Sequence, residues 1–558
     1  MSAIDEKHAH SEEGSLSGPP PVEPVEVREP VVIGAPKFRI SSLWEPAVIN
    51  PLNRKSYTLP IFNLKDPYCR NFHLAWLGFF VAFLSWFAFP PLIPEAIRAD
   101  LRLTPAQVGN SNIVALCATL IVRFVNGPLV DRYGPRYVMA GILIAGAIPS
   151  GLAGTAHNAN TLYVIRFFIG ILGGTFVPCV AWTTAFFDKN IVGTANAFVA
   201  GWGNAGGGAT FAIMVSLYQR LISNGFTRHT AWRWAFVMVP VPILVVVALL
   251  TILFGTDHPA GKWSQRHNTP ATAVAVMHGH AAVLDRSEQR VEQRKSTVQG
   301  KEGAITDVKE VSEEGDHPRE ISDKEAEARY ESEVDVAVNE KLTMALLVKI
   351  LINPLTWLPA LSYMTSFGFE LAVDANLANV LFGIYVTRFR DRRFGTTQVY
   401  AGYLTSIYGL LNIWTRPLGG YLADVVYRKW GVPGKKYLTL GTSFLQGVMS
   451  LALGLWYADE LIHGRKPDLA TFLALMIVMA IFNEIANGAN FALVPHCNAY
   501  SNGTMSGIVG GFGNLGGIFF ALVFRFQPAH NGGKAFWICG IVTMVVNALL
   551  CFIPVPKR

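Results

Sequence analysis

Apolar runs of about twenty residues recur along most of this chain, and each is long enough to cross a bilayer core of roughly 30 Å. Six fall near 72–95, 107–130, 136–157, 160–187, 191–219 and 232–254. Six more fall near 352–386, 397–424, 437–457, 469–496, 501–526 and 534–554. A backbone in lipid must satisfy its own hydrogen bonds, so these runs predict an all-α membrane protein of twelve transmembrane helices in two six-helix halves. Charged residues make up only 15% of the chain, and mean hydropathy is +0.33. A soluble domain carries roughly 25% charge.

The spacing of the runs divides the 558 residues. Residues 1–71 read as a Pro-rich, polar, flexible tail ending in a short surface segment. Residues 72–254 read as the N-terminal bundle, with the first helix starting near Phe72 and serving as the insertion signal. No cleavable signal segment is expected. Residues 255–340 are rich in Glu, Lys, Arg, Ser and Asp and poor in aromatics, which predicts a disordered, dispensable linker without a core. Ser296 and Ser312 in that linker read as sites for a kinase partner. Residues 341–558 read as the C-terminal bundle and a short tail.

The formal charge is +7 and the pI about 9.0. Lys and Arg cluster in short loops between apolar runs, which points to membrane topology and away from nucleic acid. The segments 131–136, 188–189 and 428–436, the linker and both tails fall on one side, expected to be cytoplasmic. Arg388, Arg390, Arg392 and Arg393 fall on the other. The six cysteines show no metal-ligand or disulfide spacing and read as small buried hydrophobes. Without a nucleophile–base pair, a metal cluster or a phosphate-binding loop, the chain is not expected to be an enzyme or to bind a cofactor or metal. Its standing partner is the lipid bilayer.

The two halves repeat. Arg123, Gly127, Leu129 and Asp131 share their spacing with Arg416, Gly420, Leu422 and Asp424. Gly201, Gly203, Asn204, Gly206 and Gly207 share theirs with Gly511, Gly513, Asn514, Gly516 and Gly517, each set with one aromatic between its first two glycines. Parallel repeats of this kind build transporters with a site near the midplane. Arg123 and Arg416 lie well inside the hydrocarbon depth by helix rise. An intramembrane Arg costs at least about 2.5–3.5 kcal/mol and keeps its proton. The first half offers no carboxylate at that depth. The second offers Glu370, Asp374 and Glu484, the first two expected nearer the outer end of helix seven. Two cations with so few acids predict a site for an anion. Asn204 and Asn514 are expected to face it, and Gly203 and Gly513 to let an anion approach the backbone.

These motifs carry a resemblance. The stretch from Gly127 to Arg136 resembles the loop between the second and third helices of the major facilitator superfamily. Leu162, Arg166 and Gly170 look like its fourth-helix motif. The paired Gly-Asn clusters are similar to the two signatures of the nitrate/nitrite porter family. The long linker and the run Phe167–Pro178 look most like the filamentous-fungal members. The resemblance implies high-affinity uptake of nitrate, and often nitrite, at the plasma membrane by proton symport, with the anion clamped between Arg123 and Arg416. It implies substrate roles for Asn204, Asn514, Phe83, Tyr363 and Phe367. Glu370 and Glu484 are the candidates for proton coupling. Nitrate/nitrite exchange, carriage of another small anion such as bicarbonate or formate, and a non-transporting sensor remain open beside it.

Overall fold

The computed structural model describes residues 31–266, 268, 270–277, 283–286, 289, 343–394, 398–497, 502–527 and 533–555. The chain divides into two compact units. In the smaller, β1 (Val31–Ile33) pairs in parallel with β2 (Val283–Asp285), Val31 opposite Val283. The larger, residues 34–269 and 333–558, holds the membrane helices.

These are α1 (Pro67–Trp86), α2 (Pro105–Tyr133), α3 (Pro135–Gly151), α4 (Ala159–Phe186), α5 (Val192–Ser223) and α6 (Arg228–Phe254) in the first half. The second half has α7 (Pro354–Leu381), α8 (399–430), α9 (432–462), α10 (Leu469–Cys497), α11 (Asn502–Phe526) and α12 (Gly533–Leu550). Nine stretches are long and apolar enough to span a bilayer among the described residues. One of them, Val399–Ile462, contains both α8 and α9, because Gly431 at φ 64° breaks it. With α1 and α5, the total reaches the expected twelve.

Local sequence sets the helix starts. Asp66, Thr104 and Asn353 each precede a proline, and each side chain accepts a backbone N–H of the first turn. Such a cap satisfies an otherwise orphaned donor, and Pro at the first helical position loses no bond. The first helix therefore begins five residues earlier than Phe72, where its apolar run begins.

The repeat is visible in the packing. A Cβ on Gly203 would overlap the Phe79 ring, and one on Gly513 would lie 2.7 Å from Tyr363 and 2.9 Å from Phe367. A Cβ on Gly206 would overlap Phe80 O, and one on Gly516 would overlap Met364 O. So α5 lies on the backbone of α1 as α11 lies on that of α7. These contacts register Phe79 with Tyr363, Phe83 with Phe367 and Trp86 with Glu370.

Two expectations about the flanks need correction. Residues 34–66 are not a free tail: Asn50, Lys55, Ser56 and Thr58 are buried, and Asn50 Nδ2 donates to Asp188 at 3.2 Å. The linker does not begin at 255 either, because Trp263 is buried and its indole N–H reaches Asp131 O at 2.9 Å. Ser296 and Ser312 lie outside the described residues.

The glycine contacts make a prediction. Gly516→Ala should lower the thermal midpoint of the purified protein, since overpacking costs about 1–3 kcal/mol. Gly441→Ala should not, as nothing lies within 4 Å of a Cβ there. Equal midpoints for the two variants would contradict the close packing of α7 on α11.

Candidate functional site

Arg123 and Arg416 are both fully buried. Arg123 is anchored by a 3-10 turn inside α4, Gly170–Thr175. That turn releases carbonyls from the α-helical ladder, and α2 side chains take them. Thr119 Oγ1 donates to Gly170 O at 2.5 Å, Arg123 Nε to Gly173 O at 2.9 Å and Asn126 Nδ2 to Gly174 O at 3.1 Å. Arg123 Nη1 then crosses to the other half and donates to Gly510 O of α11 at 2.8 Å. Its Nη2 has no hydrogen-bond partner among the described residues.

Arg416 sits in different company. Its Nη2 donates to the Tyr363 hydroxyl at 2.7 Å and its Nη1 to Asn412 Oδ1 at 3.3 Å. Nη1 also lies 3.8 Å from Glu370 Oε2 and 3.9 Å from Glu484 Oε2. This corrects two expectations. Glu370 is not displaced toward the outer end but level with Arg416, and the second arginine faces two carboxyls rather than too few. The repeat explains the inequality: the residues matching Tyr363 and Glu370 are Phe79 and Trp86, which carry neither hydroxyl nor carboxylate. Asp374, one turn along α7 from Glu370, is also buried, and its Oδ1 has no partner among the described residues.

Three amides hold Glu370. Asn412 Nδ2 donates to its Oε1 at 3.0 Å and Asn487 Nδ2 to its Oε2 at 2.8 Å. Asn204 Nδ2, from the other half, also donates to Oε1. Asn514 Nδ2 donates to Gly510 O, the carbonyl that Arg123 reaches, at 3.1 Å. Both signature asparagines thus give one N–H of their amide to protein. Their carbonyl oxygens have no partner among the described residues, and a carbonyl suits a proton donor better than an anion.

Aromatic rings fill the space between. Phe367 lies 5.0 Å from the Arg123 guanidinium carbon and 5.5 Å from that of Arg416, so one ring touches both cations. Tyr363 stacks on Phe367 at 4.8 Å, and Phe176 lies over both, 4.9 Å from Arg123. Phe83 is a step removed, edge-on to Phe79 at 4.3 Å, which in turn meets Phe176. Gly203 and Gly513 are filled by rings and offer no backbone to an anion, correcting the expectation for them. Sequence reasoning missed Phe176, Asn412 and Asn487. A signal existed for the last: Asn483, Glu484, Asn487 and Asn490 recur on one helical face of an otherwise apolar run.

Both ends of the site are closed by contacts between the halves. At one end Asp131 Oδ2 accepts Thr504 N at 3.2 Å and Oγ1 at 2.9 Å, while Asp424 Oδ2 accepts Thr194 N and Oγ1, both at 2.7 Å. Each carboxylate caps the start of a helix in the opposite half, where the dipole favours it. At the other end Gln398 Oε1 accepts Glu95 N at 2.9 Å, and Asn110 Oδ1 accepts Arg525 Nε at 2.7 Å.

The Major Facilitator Superfamily model matches residues 75–521. The chain is 31% identical over 508 residues to Nitrate transporter 2.1 of Chlamydomonas reinhardtii, covering 90% of this chain and 77% of that one. It is 26% identical over 524 residues to the nitrate/nitrite transporter NrtP of Nostoc punctiforme, covering 89% of this chain and 94% of that one. Among solved structures it resembles the proton:xylose symporter XylE, with a TM-score of 0.56 at 14% identity over 88% of this chain and 97% of that one, a likeness of fold.

The unequal surroundings of the arginines are testable without a ligand. Tyr363→Phe leaves Arg416 Nη2 unpaired, and a hydrogen bond to a charged group is worth about 1.5–3 kcal/mol. The thermal midpoint of purified protein should fall. An unchanged midpoint would show that Arg416 does not depend on that hydroxyl.

Proposed function

We propose that this chain, which belongs to the nitrate transporter family of the major facilitator superfamily, carries nitrate, and nitrite with it, across the plasma membrane by alternating access coupled to protons. The observation that carries the reading is the pair of fully buried arginines at matching positions of the repeat, sharing the ring of Phe367. Nitrate is planar and singly charged, and a guanidinium fork can donate to two of its oxygens in parallel. Arg123 Nη2 and Arg416 Nε, which have no hydrogen-bond partner among the described residues, are the donors available to it. The stacked Tyr363, Phe367 and Phe176 exclude water and so strengthen those bonds.

Orientation follows from loop charge. The Asp131 and Asp424 end faces the cytoplasm with both termini, and the Gln398 and Glu95 end faces outside. The two sets of contacts then serve as inner and outer gates, each broken in turn as the halves rock about the site.

Charge counting supplies the coupling. Arg123 and Arg416 share the compartment with Glu370, Glu484 and, one turn on, Asp374; with both glutamates ionised and Asp374 protonated, the charges there already balance. A nitrate adds one negative charge in a medium of low dielectric, where an uncompensated charge is costly. A proton on the Glu370–Glu484 pair restores the balance, and Glu484, whose two oxygens have no hydrogen-bond partner among the described residues, is its first acceptor. Uptake against an inside-negative potential needs such a driver, at about 2.3 kcal/mol per charge per 100 mV.

Flux of nitrate into proteoliposomes of pure protein, with and without a pH gradient, tests the reading. A gradient with the outside acid, so that protons run inward, should drive accumulation. Flux that requires nitrite on the far side and ignores the gradient would replace symport by exchange, and bicarbonate or formate competing as well as nitrate would replace the substrate. Arg123→Lys and Arg416→Lys should each raise the half-saturating nitrate concentration about tenfold or more, because an ammonium lacks the planar fork. Near-normal uptake by either variant would remove that arginine from the clamp. Glu484→Gln should still equilibrate nitrate yet no longer concentrate it. Undiminished accumulation in that variant would place the proton elsewhere.

A further inference from the structure

The residues after α6 turn back onto the inner gate. Gly134, at φ 87°, ends α2, and Pro135 starts α3. The carbonyl of Asp131 would ordinarily take the N–H of residue 135, but a proline has none. Trp263 supplies the missing donor through its indole N–H at 2.9 Å. Arg266 adds Nη2 to the same carbonyl at 3.4 Å, gives Nη1 to Trp263 O at 2.9 Å and covers the Trp263 ring at 4.9 Å. The ring itself rests on Gly134, where a Cβ would lie 3.1 Å from it. The carboxylate of that same Asp131 caps Thr504 across the halves. In the second half the matching Asp424 is held by Lys435 Nζ at 3.1 Å, a residue of the same hairpin.

We propose that Trp263 is a positioning residue for transport: by fixing the end of α2 it holds Asp131 where its carboxylate meets the start of α11, and so stabilises the closed inner gate. Trp263 touches neither arginine nor the carboxyls of the anion site. Its effect is on the balance between closed and open inner states, which a change in one contact shifts by that contact's differential strength. The assignment rests on the alternating-access reading, but its test needs no nitrate.

The test is amide hydrogen exchange of the purified full-length chain, followed at residues 502–507 at the start of α11. Thr504 N–H donates to Asp131 in the closed state and is released when the gate opens. Trp263→Phe keeps a ring on Gly134 and removes the donor. Exchange at 502–507 should quicken about three- to tenfold, the equivalent of one neutral hydrogen bond. Trp263→Ala should quicken it further. Peptides from the middle of α10 should exchange as in the natural chain, which separates gate opening from general loosening. Unchanged exchange at 502–507 in Trp263→Phe overturns the proposal, as does an equal rise in both regions. If Trp263→Ala fails to fold, the Phe variant decides alone. A failure of nitrate flux with the predicted exchange would remove the substrate and leave the gate, and normal flux with unchanged exchange would do the reverse.

Discussion

A guanidinium buried in the middle of a membrane protein can neither lose its proton nor reach water, so the structure around it must supply what water would have given. Most of the buried polar architecture answers that demand. The 3-10 turn of α4 exists where Arg123 Nε and its neighbours need carbonyls. Tyr363, Asn412, Glu370 and Glu484 gather where Arg416 does. Phe367 gives both cations one shared face. Two contacts of the same groups join the halves: Arg123 to Gly510, and Asn204 to Glu370. Solvating the charges and holding the halves together are therefore one task, and anything that changes the charge inside changes how firmly the halves meet.

The duplication gives the framework its symmetry, and function departs from it at a few side chains. Contacts repeat closely, from the glycines of α5 and α11 to the aspartate caps on Thr194 and Thr504. The second half adds a hydroxyl at Tyr363 and carboxylates at Glu370 and Glu484. The first half has Phe79 and Trp86 at the positions matching Tyr363 and Glu370. In the proposed cycle the first half contributes a cation with an unpartnered Nη2 for the anion, and the second contributes the groups that can take a proton. Keeping both functions in one buried compartment lets the charge of one be felt by the other.

Much of this was legible in the sequence because it rests on periodicity and on rare residues in apolar surroundings. Twelve apolar runs and one internal repeat give the fold. Arg123 and Arg416 stand out because charge is scarce at that depth. The level of Glu370 relative to Arg416 is misplaced because α8 continues to residue 430, past the apolar run that ends near 424, so Arg416 lies nearer the middle of its helix than the run suggests. The glycines Gly203 and Gly513 carry no signal to separate ring packing from ligand access. Phe176 lies in a glycine-rich run whose 3-10 geometry the 3.6-residue period does not reveal. Trp263 was hidden by its setting: a hydrophilic connector reads as coreless, yet one tryptophan at its start finds a surface on Gly134.

The central claim is that an anion entering a compartment of two arginines and two carboxyls brings a proton with it. Calorimetric titration of the detergent-purified chain with nitrate, repeated in buffers of different ionisation enthalpy, measures the protons exchanged on binding. The account predicts uptake of about one proton per nitrate bound near neutral pH, falling toward none in Glu484→Gln. Nitrate binding with no proton uptake in the natural chain would contradict it and would make the carboxyls counter-ions to Arg416 alone.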